Sequence, residues 1–134
     1  MILWQFDVQN AFPNAKLNQF DIYMEAPTIM NLPQGRYLQL HRALYGLKQA
    51  SREWNLHLVS ILKHLGFRQL ITEACIFIAR IHNEDIIILI YVDDMVVCSR
   101  LINNIKWLHD ILSQHFKLTN NSLKKILGFS ITYD

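Results

Sequence analysis

The chain has little cysteine, little excess charge and no long apolar run, and each shortage bears on the class of protein. Its two cysteines, Cys75 and Cys98, sit among apolar neighbours without CxxC spacing. That reads as buried, reduced thiols in an intracellular protein more readily than as a disulfide framework. The six histidines are scattered and form no zinc spacing with the cysteines, so a structural metal finger is not expected. Thirteen Lys and Arg against eleven acids leave a net charge of only +2, so bulk electrostatics neither favours nor excludes nucleic acid. Ile86 to Val92 is far too short to cross a bilayer and runs into aspartates, and no membrane partner is expected. The apolar start meets Asp7 with no basic leader before it, unlike a secretory signal. There are no internal repeats or low-complexity tracts. Half of the 134 residues are apolar, enough to bury the core of one domain spanning residues 1–134.

Periodicity then orders the elements. Trp4, Phe6 and Val8 alternate with polar neighbours, predicting a first strand that ends at or just after Asp7. Tyr23 and the stretch RYLQLHR from Arg36 give short extended pieces among Pro27, Pro33 and Gly35, which mark loops. Trp54, Leu58, Ile61, Leu62 and Leu65 fall at helical spacing, with Arg52, Glu53, Asn55 and His57 off the stripe and Gly66 as a stop. This predicts an amphipathic helix of about four turns. Ile76 to Ile81 and Ile86 to Val92 flank HNED as paired strands. A second helix is expected from Ile105, Leu108, Ile111, Leu112 and Phe116, between the polar stretches SRLINN and KLTNNS. A last short strand is expected from Ile126 to Tyr133. The order predicts an α+β fold, an antiparallel sheet with helices on one face.

Within the apolar run IIILIYVDDMVVCS stand two adjacent acids, Asp93 and Asp94. Carboxylates about 4 Å apart repel by roughly 4 kcal/mol at an effective dielectric near 20, and a domain is stable by only about 5 to 15 kcal/mol. The pair therefore needs an exposed turn, a cation or a shared proton. A two-residue Asp93–Asp94 connection between Ile86–Val92 and Met95–Cys98 fits a tight hairpin, and a solvated hairpin tip is the plain alternative to a functional one. A first strand beside that hairpin would bring Asp7 close to both, since strand neighbours lie about 5 Å apart. Three carboxylates without thiol or imidazole suit Mg²⁺ or Mn²⁺ with phosphate as the remaining partner. The implied chemistry is phosphoryl transfer on two ions about 3.5 to 4 Å apart.

The segments FDVQNAF, YLQLHRALYGLKQASREW, GFRQLITEACIFI, YVDDM and ILGFSI resemble, in this order, the reverse transcriptases of copia-type retrotransposons. The resemblance covers nearly the whole chain. It implies a polymerase palm whose catalytic acids are Asp7, Asp93 and Asp94, with the backbone carbonyl of Val8 completing a metal site. It implies that Phe12 sits against the sugar of an incoming dNTP, excluding a 2′-hydroxyl by bulk; packing in the core is the other account of Phe12. Gly46 would allow close backbone approach and Lys48 would meet a phosphate. Tyr91, Arg52 and Leu127, Gly128 and Phe129 would contact the RNA/DNA template-primer, the last three in a hairpin that grips the primer end. Lys48 and Arg52 equally fit ordinary solvated charges.

Several positions depart from the family pattern. Pro13 replaces a usual leucine, which biases Phe12 toward extended geometry. Ser51 replaces a usual proline at a helix start, where it could cap. Lys16 replaces a frequent acid, and FKLTNNSLKKILGFSI lacks the usual Asp-Leu-Gly turn. The fingers would lie upstream, and the thumb and ribonuclease H downstream, in one polyprotein. The chain alone is expected to be nearly inactive, because positioning is worth up to about 7 to 11 kcal/mol. In an active element it would act inside a cytoplasmic virus-like particle. Two alternatives remain, a non-catalytic remnant that keeps the fold and binds RNA weakly at most, and an unrelated Mg²⁺-dependent phosphohydrolase.

Overall fold

Alternation at the head of the chain produces β1 (Ile2–Val8), which buries Phe6 and Val8 and turns Gln5 and Asp7 to the opposite face. The structure is a computed structural model describing residues 1–17, 19–122, 125–126 and 129–130. After β1 come α1 (Ala11–Asn14), β2 (Tyr23–Glu25), β3 (Tyr37–Gln39), α2 (Ala50–His64), β4 (Arg68–Gln69), β5 (Ile76–Ile81) and β6 (Glu84–Tyr91). Then follow β7 (Asp94–Ser99), α3 (Ile102–Leu112), β8 (Leu118–Ser122), β9 (Lys125–Ile126) and β10 (Phe129–Ser130). Six strands form one sheet in the order β4-β5-β6-β7-β1-β8, every neighbouring pair antiparallel. β2 pairs with β3, and β9 with β10, in two smaller ribbons.

The helices cover one face of the large sheet, as expected for an α+β fold. Ala50, Trp54, Leu58, Val59 and Leu62 of α2 and Ile105, Leu108 and Leu112 of α3 join Phe6, Phe77, Ile86, Ile88, Met95 and Val97 in one buried cluster. Burying each large apolar side chain contributes roughly 1.5–3 kcal/mol before entropy is counted. Gly66 ends α2 at φ +90°, a left-handed conformation that glycine adopts without a Cβ penalty. Asn104 is fully buried, yet its amide donates to Ile81 O at 3.2 Å and its Oδ1 accepts from His82 Nδ1 at 2.8 Å. The β5–β6 turn is thereby tied to α3. Among the described residues, no helix is long and apolar enough to cross a membrane.

Five local expectations are corrected. β8 forms where KLTNNS read as a polar connector, because pairing with β1 satisfies its backbone groups at the sheet edge. Of HNED only His82 and Asn83 make the turn, both at positive φ (51° and 61°) as a two-residue hairpin loop of the primed type requires; Glu84 and Asp85 belong to β6. The second helix ends at Leu112, and Phe116 reaches the core from beyond it. Phe12 is helical rather than extended, since Pro13 falls in the first turn of α1, where a missing N–H leaves no helical bond unmade. Ser51 lies inside α2, whose N-cap is Gln49 with no side-chain capping bond. The last predicted strand, Ile126 to Tyr133, falls largely outside the described residues, within which β9 and β10 form a short hairpin.

Candidate active site

Strand register sets up a row of side chains on the sheet face away from the helices. Asp7 of β1 is directly opposite Asp94 of β7, which in turn is opposite Tyr91 of β6; on its other side Asp7 is opposite Thr119 of β8. Val8 N–H donates to Asp93 O at 2.9 Å, so Val8 and Asp93 are the hydrogen-bonded pair and Asp7 and Asp94 the next, non-hydrogen-bonded one. In such pairs Cα atoms are about 4.5 Å apart and side chains approach closest. Like charges directly opposite are destabilising. Two neighbouring donors partly offset this. Gln5 Nε2 donates to Asp94 Oδ1 at 2.9 Å, and Thr119 Oγ1 donates to Asp7 Oδ2 at 3.2 Å.

The hairpin turn differs from the expected one by a residue. Val92 and Asp93, not Asp93 and Asp94, make the turn, and Asp94 already belongs to β7. Val92 takes φ 54°, a conformation that is an outlier for a β-branched residue. Asp or Gly would suit that position better on local propensity; tertiary bonds decide otherwise. Trp54 Nε1 of α2 donates to Val92 O at 2.6 Å, while β1 holds Asp93 O. Asp93 is half-buried at the tip and makes no side-chain hydrogen bond among the described residues.

Three half-buried carboxylates with no thiol or imidazole in their row form a hard oxygen donor set. Mg²⁺ is commonly held by one or two carboxylates, with waters and substrate phosphates completing the shell, and the Asp7–Asp94 pair fits that partial set. A closed cage is not formed: among the described residues, no three His, Cys, Asp or Glu side chains gather around one point. Of the three acids expected in one place, the structure sets Asp7 and Asp94 directly opposite each other and leaves Asp93 at the adjoining turn, without a three-ligand group among the described residues.

The remaining candidates are placed as follows. The ring of Phe12 is half-buried and tilted against Tyr45, with centroids 4.4 Å apart. It also packs against the core, as the core account of this residue expects. Gly46 takes φ +95°, and a Cβ built there meets nothing within 4 Å; backbone conformation, not crowding by the protein, demands glycine. Lys48 is exposed in the loop before α2. Arg52 is exposed and pairs with Glu53 at 3.2 Å, an interaction worth little at the surface. Tyr91 is exposed at the end of the carboxylate row. Leu127 and Gly128 lie outside the described residues, and Phe129 is described only by its backbone pairing with Ile126.

Sequence reasoning missed Gln5, Thr119 and Trp54 as residues that position the corner. Gln5 was accessible in principle, because two residues before Asp7 on a strand is the same face. Thr119 had no signal, since its segment reads as a loop.

The whole chain, residues 1–134, matches the family described as reverse transcriptase (RNA-dependent DNA polymerase). It is 33% identical over 95% of its length to the retrovirus-related Pol polyprotein from transposon TNT 1-94 of Nicotiana tabacum, of which it covers 10%. It is 34% identical over 87% of its length to the Pol polyprotein from transposon RE1 of Arabidopsis thaliana, covering 8% of that protein. With the transposon Ty1-MR1 Gag-Pol polyprotein of Saccharomyces cerevisiae it shares 27% identity over 96% of its length, again 8% of the relative. The chain thus spans about a tenth or less of the length of these curated relatives. An antiparallel sheet carrying an acid pair, a family match over residues 1–134 and transposon Pol polyprotein relatives over 87–96% of the chain identify it as a member of the reverse transcriptase family of the copia type.

Proposed function

We propose that residues 1–134 form the catalytic palm of an RNA-directed DNA polymerase within a retrotransposon polyprotein. The observation that carries this reading is the direct opposition of Asp7 and Asp94 beside a strained turn that presents Asp93. A stability-only explanation has no use for like charges set face to face. In this reading Asp7, Asp93 and Asp94, with the Val8 carbonyl, hold two Mg²⁺ or Mn²⁺ ions. The ions supply charge neutralisation when bound. The reaction joins a primer 3′-hydroxyl to the α-phosphate of a dNTP, forming a phosphodiester, releasing pyrophosphate and passing the hydroxyl proton to solvent.

The chain's own groups orient the reactants. The Phe12–Tyr45 stack offers a flat apolar wall to a sugar. Lys48 and Arg52 are exposed cations within reach of solvent-borne phosphates, Tyr91 extends the row toward the strand that is copied, and Leu127, Gly128 and Phe129 hold the primer end. Gln5 and Thr119 fix the carboxylate orientations. The finger, thumb and ribonuclease H segments of the full polyprotein supply the rest of the positioning, so the isolated chain is expected to extend primers poorly if at all.

One observation favours the second reading, a non-catalytic remnant: no closed three-ligand group exists among the described residues. The two separate in a chimera, the tobacco TNT 1-94 polyprotein with its matching segment replaced by residues 1–134. It is expected to extend a DNA primer on an RNA template with Mg²⁺, and Asp93→Asn is expected to abolish extension. A correctly folded chimera without extension supports the remnant. Extension that survives Asp93→Asn rejects the catalytic role of the corner.

A further inference from the structure

The outward side of α2 faces a second concentration of charge, unrelated to the carboxylate row. A cleft of about 580 Å³ is lined by Lys16, Arg42, Glu53, Leu56, His57 and His115. It lies on the helical side of the sheet and shares no residue with the row Tyr91, Asp94, Asp7 and Thr119.

Its construction runs against stability. Lys16 and Arg42 are direct partners in an isolated antiparallel bridge, a placement that sets two cations opposite each other. Arg42 is held there by donating from Nη1 to Pro13 O at 3.1 Å. His57 and His115 flank the Phe116 ring, with centroids 5.7 and 6.1 Å from it. The imidazole of His57 is held below the ordinary value of 6.5, first by burial, then by His115, Arg42 and Lys16. Three groups that are or can become cationic therefore act on His57. Among the described lining residues the one carboxylate, Glu53, is already paired with Arg52 at 3.2 Å. An oxyanion seated among them would relieve the repulsion.

We propose that this cleft binds phosphate-bearing anions, either free phosphate or the phosphodiester of a nucleic-acid strand, at a site separate from the carboxylate corner. The assignment does not draw on the polymerase reading, and an inert carboxylate corner leaves it standing. Binding tightens as pH falls. Among the charged groups facing His57, namely Lys16, Arg42, His115 and Glu53, imidazoles are the type whose ordinary titration lies between about pH 5 and 8. An anion that favours the protonated imidazole raises its pKa, and by linkage protonation favours the anion.

The test follows the ring resonances of His57 and His115 by NMR in the intact chain, titrated with sodium phosphate and separately with a DNA oligonucleotide. Both rings are expected to shift saturably, with the His57 titration moving to higher pH. Lys16→Glu is expected to weaken binding by roughly tenfold, the effect of reversing a unit charge about 5 Å away in water-like surroundings. Lys16→Gln should weaken it less, and Lys63→Glu, matched in charge but on α2 outside the cleft, should leave it unchanged. Saturation by phosphate alone identifies a free anion; tighter binding of the oligonucleotide at equal phosphate concentration identifies a strand. Rings that respond to neither probe overturn the proposal, as does an affinity that neither Lys16 substitution lowers below that of Lys63→Glu.

Discussion

Val92 bears the strain of the corner. A β-branched residue at φ 54° stores on the order of 1–3 kcal/mol, and the side chain recovers little, being 41% exposed. Asn tolerates the left-handed region far better. Val92→Asn is therefore expected to raise stability by about 1 kcal/mol in urea unfolding; a lower midpoint would show that Val92 is not strained. The acids of the corner were legible because charge inside an apolar run has few explanations. The turn residue was not. Asp-Asp is the better local turn than Val-Asp, and the deciding bonds, from Trp54 Nε1 and Val8 N–H, come from elements remote in sequence. Thr119 was hidden for the same reason, its partner being set by register across β1 and β8, whereas Gln5 shares the strand face of Asp7 and only its bond to Asp94 waits on the β1–β7 register.

Among the elements, α2 couples the core to the corner. Its apolar stripe and glycine stop were readable from spacing alone, as were the β5–β6 pairing and α3. What spacing could not give was that Trp54, a core residue, also donates to the hairpin carbonyl and packs edge-on against Phe116 at 5.1 Å. Trp54→Phe keeps an aromatic ring and removes the donor. Leaving Val92 O without that partner is expected to destabilise the chain by about 1–3 kcal/mol and to increase hydrogen exchange at the β6–β7 turn. Unchanged exchange there would separate the helix from the turn. β8 escaped the sequence because an Asn-rich edge strand has no alternation to reveal it, and its pairing with β1 exists only in the folded sheet.

For the whole molecule, the order β4-β5-β6-β7-β1-β8 brings the first strand beside β7, joining acids 87 positions apart in sequence, Asp7 and Asp94. The order of elements foretold an α+β layer, and the family match extends over all of it. On the proposed function, this juxtaposition holds divalent cations rather than stabilising the fold. Urea unfolding of the native chain and of Asp7→Asn, each with and without Mg²⁺, tests it most directly. Without metal, Asp7→Asn should be the more stable by up to about 1 kcal/mol, since one of two facing charges is gone. With Mg²⁺ at roughly ten times its dissociation constant, the native chain alone should gain about 1.4 kcal/mol. A native chain indifferent to Mg²⁺ and more stable than Asp7→Asn would contradict the account.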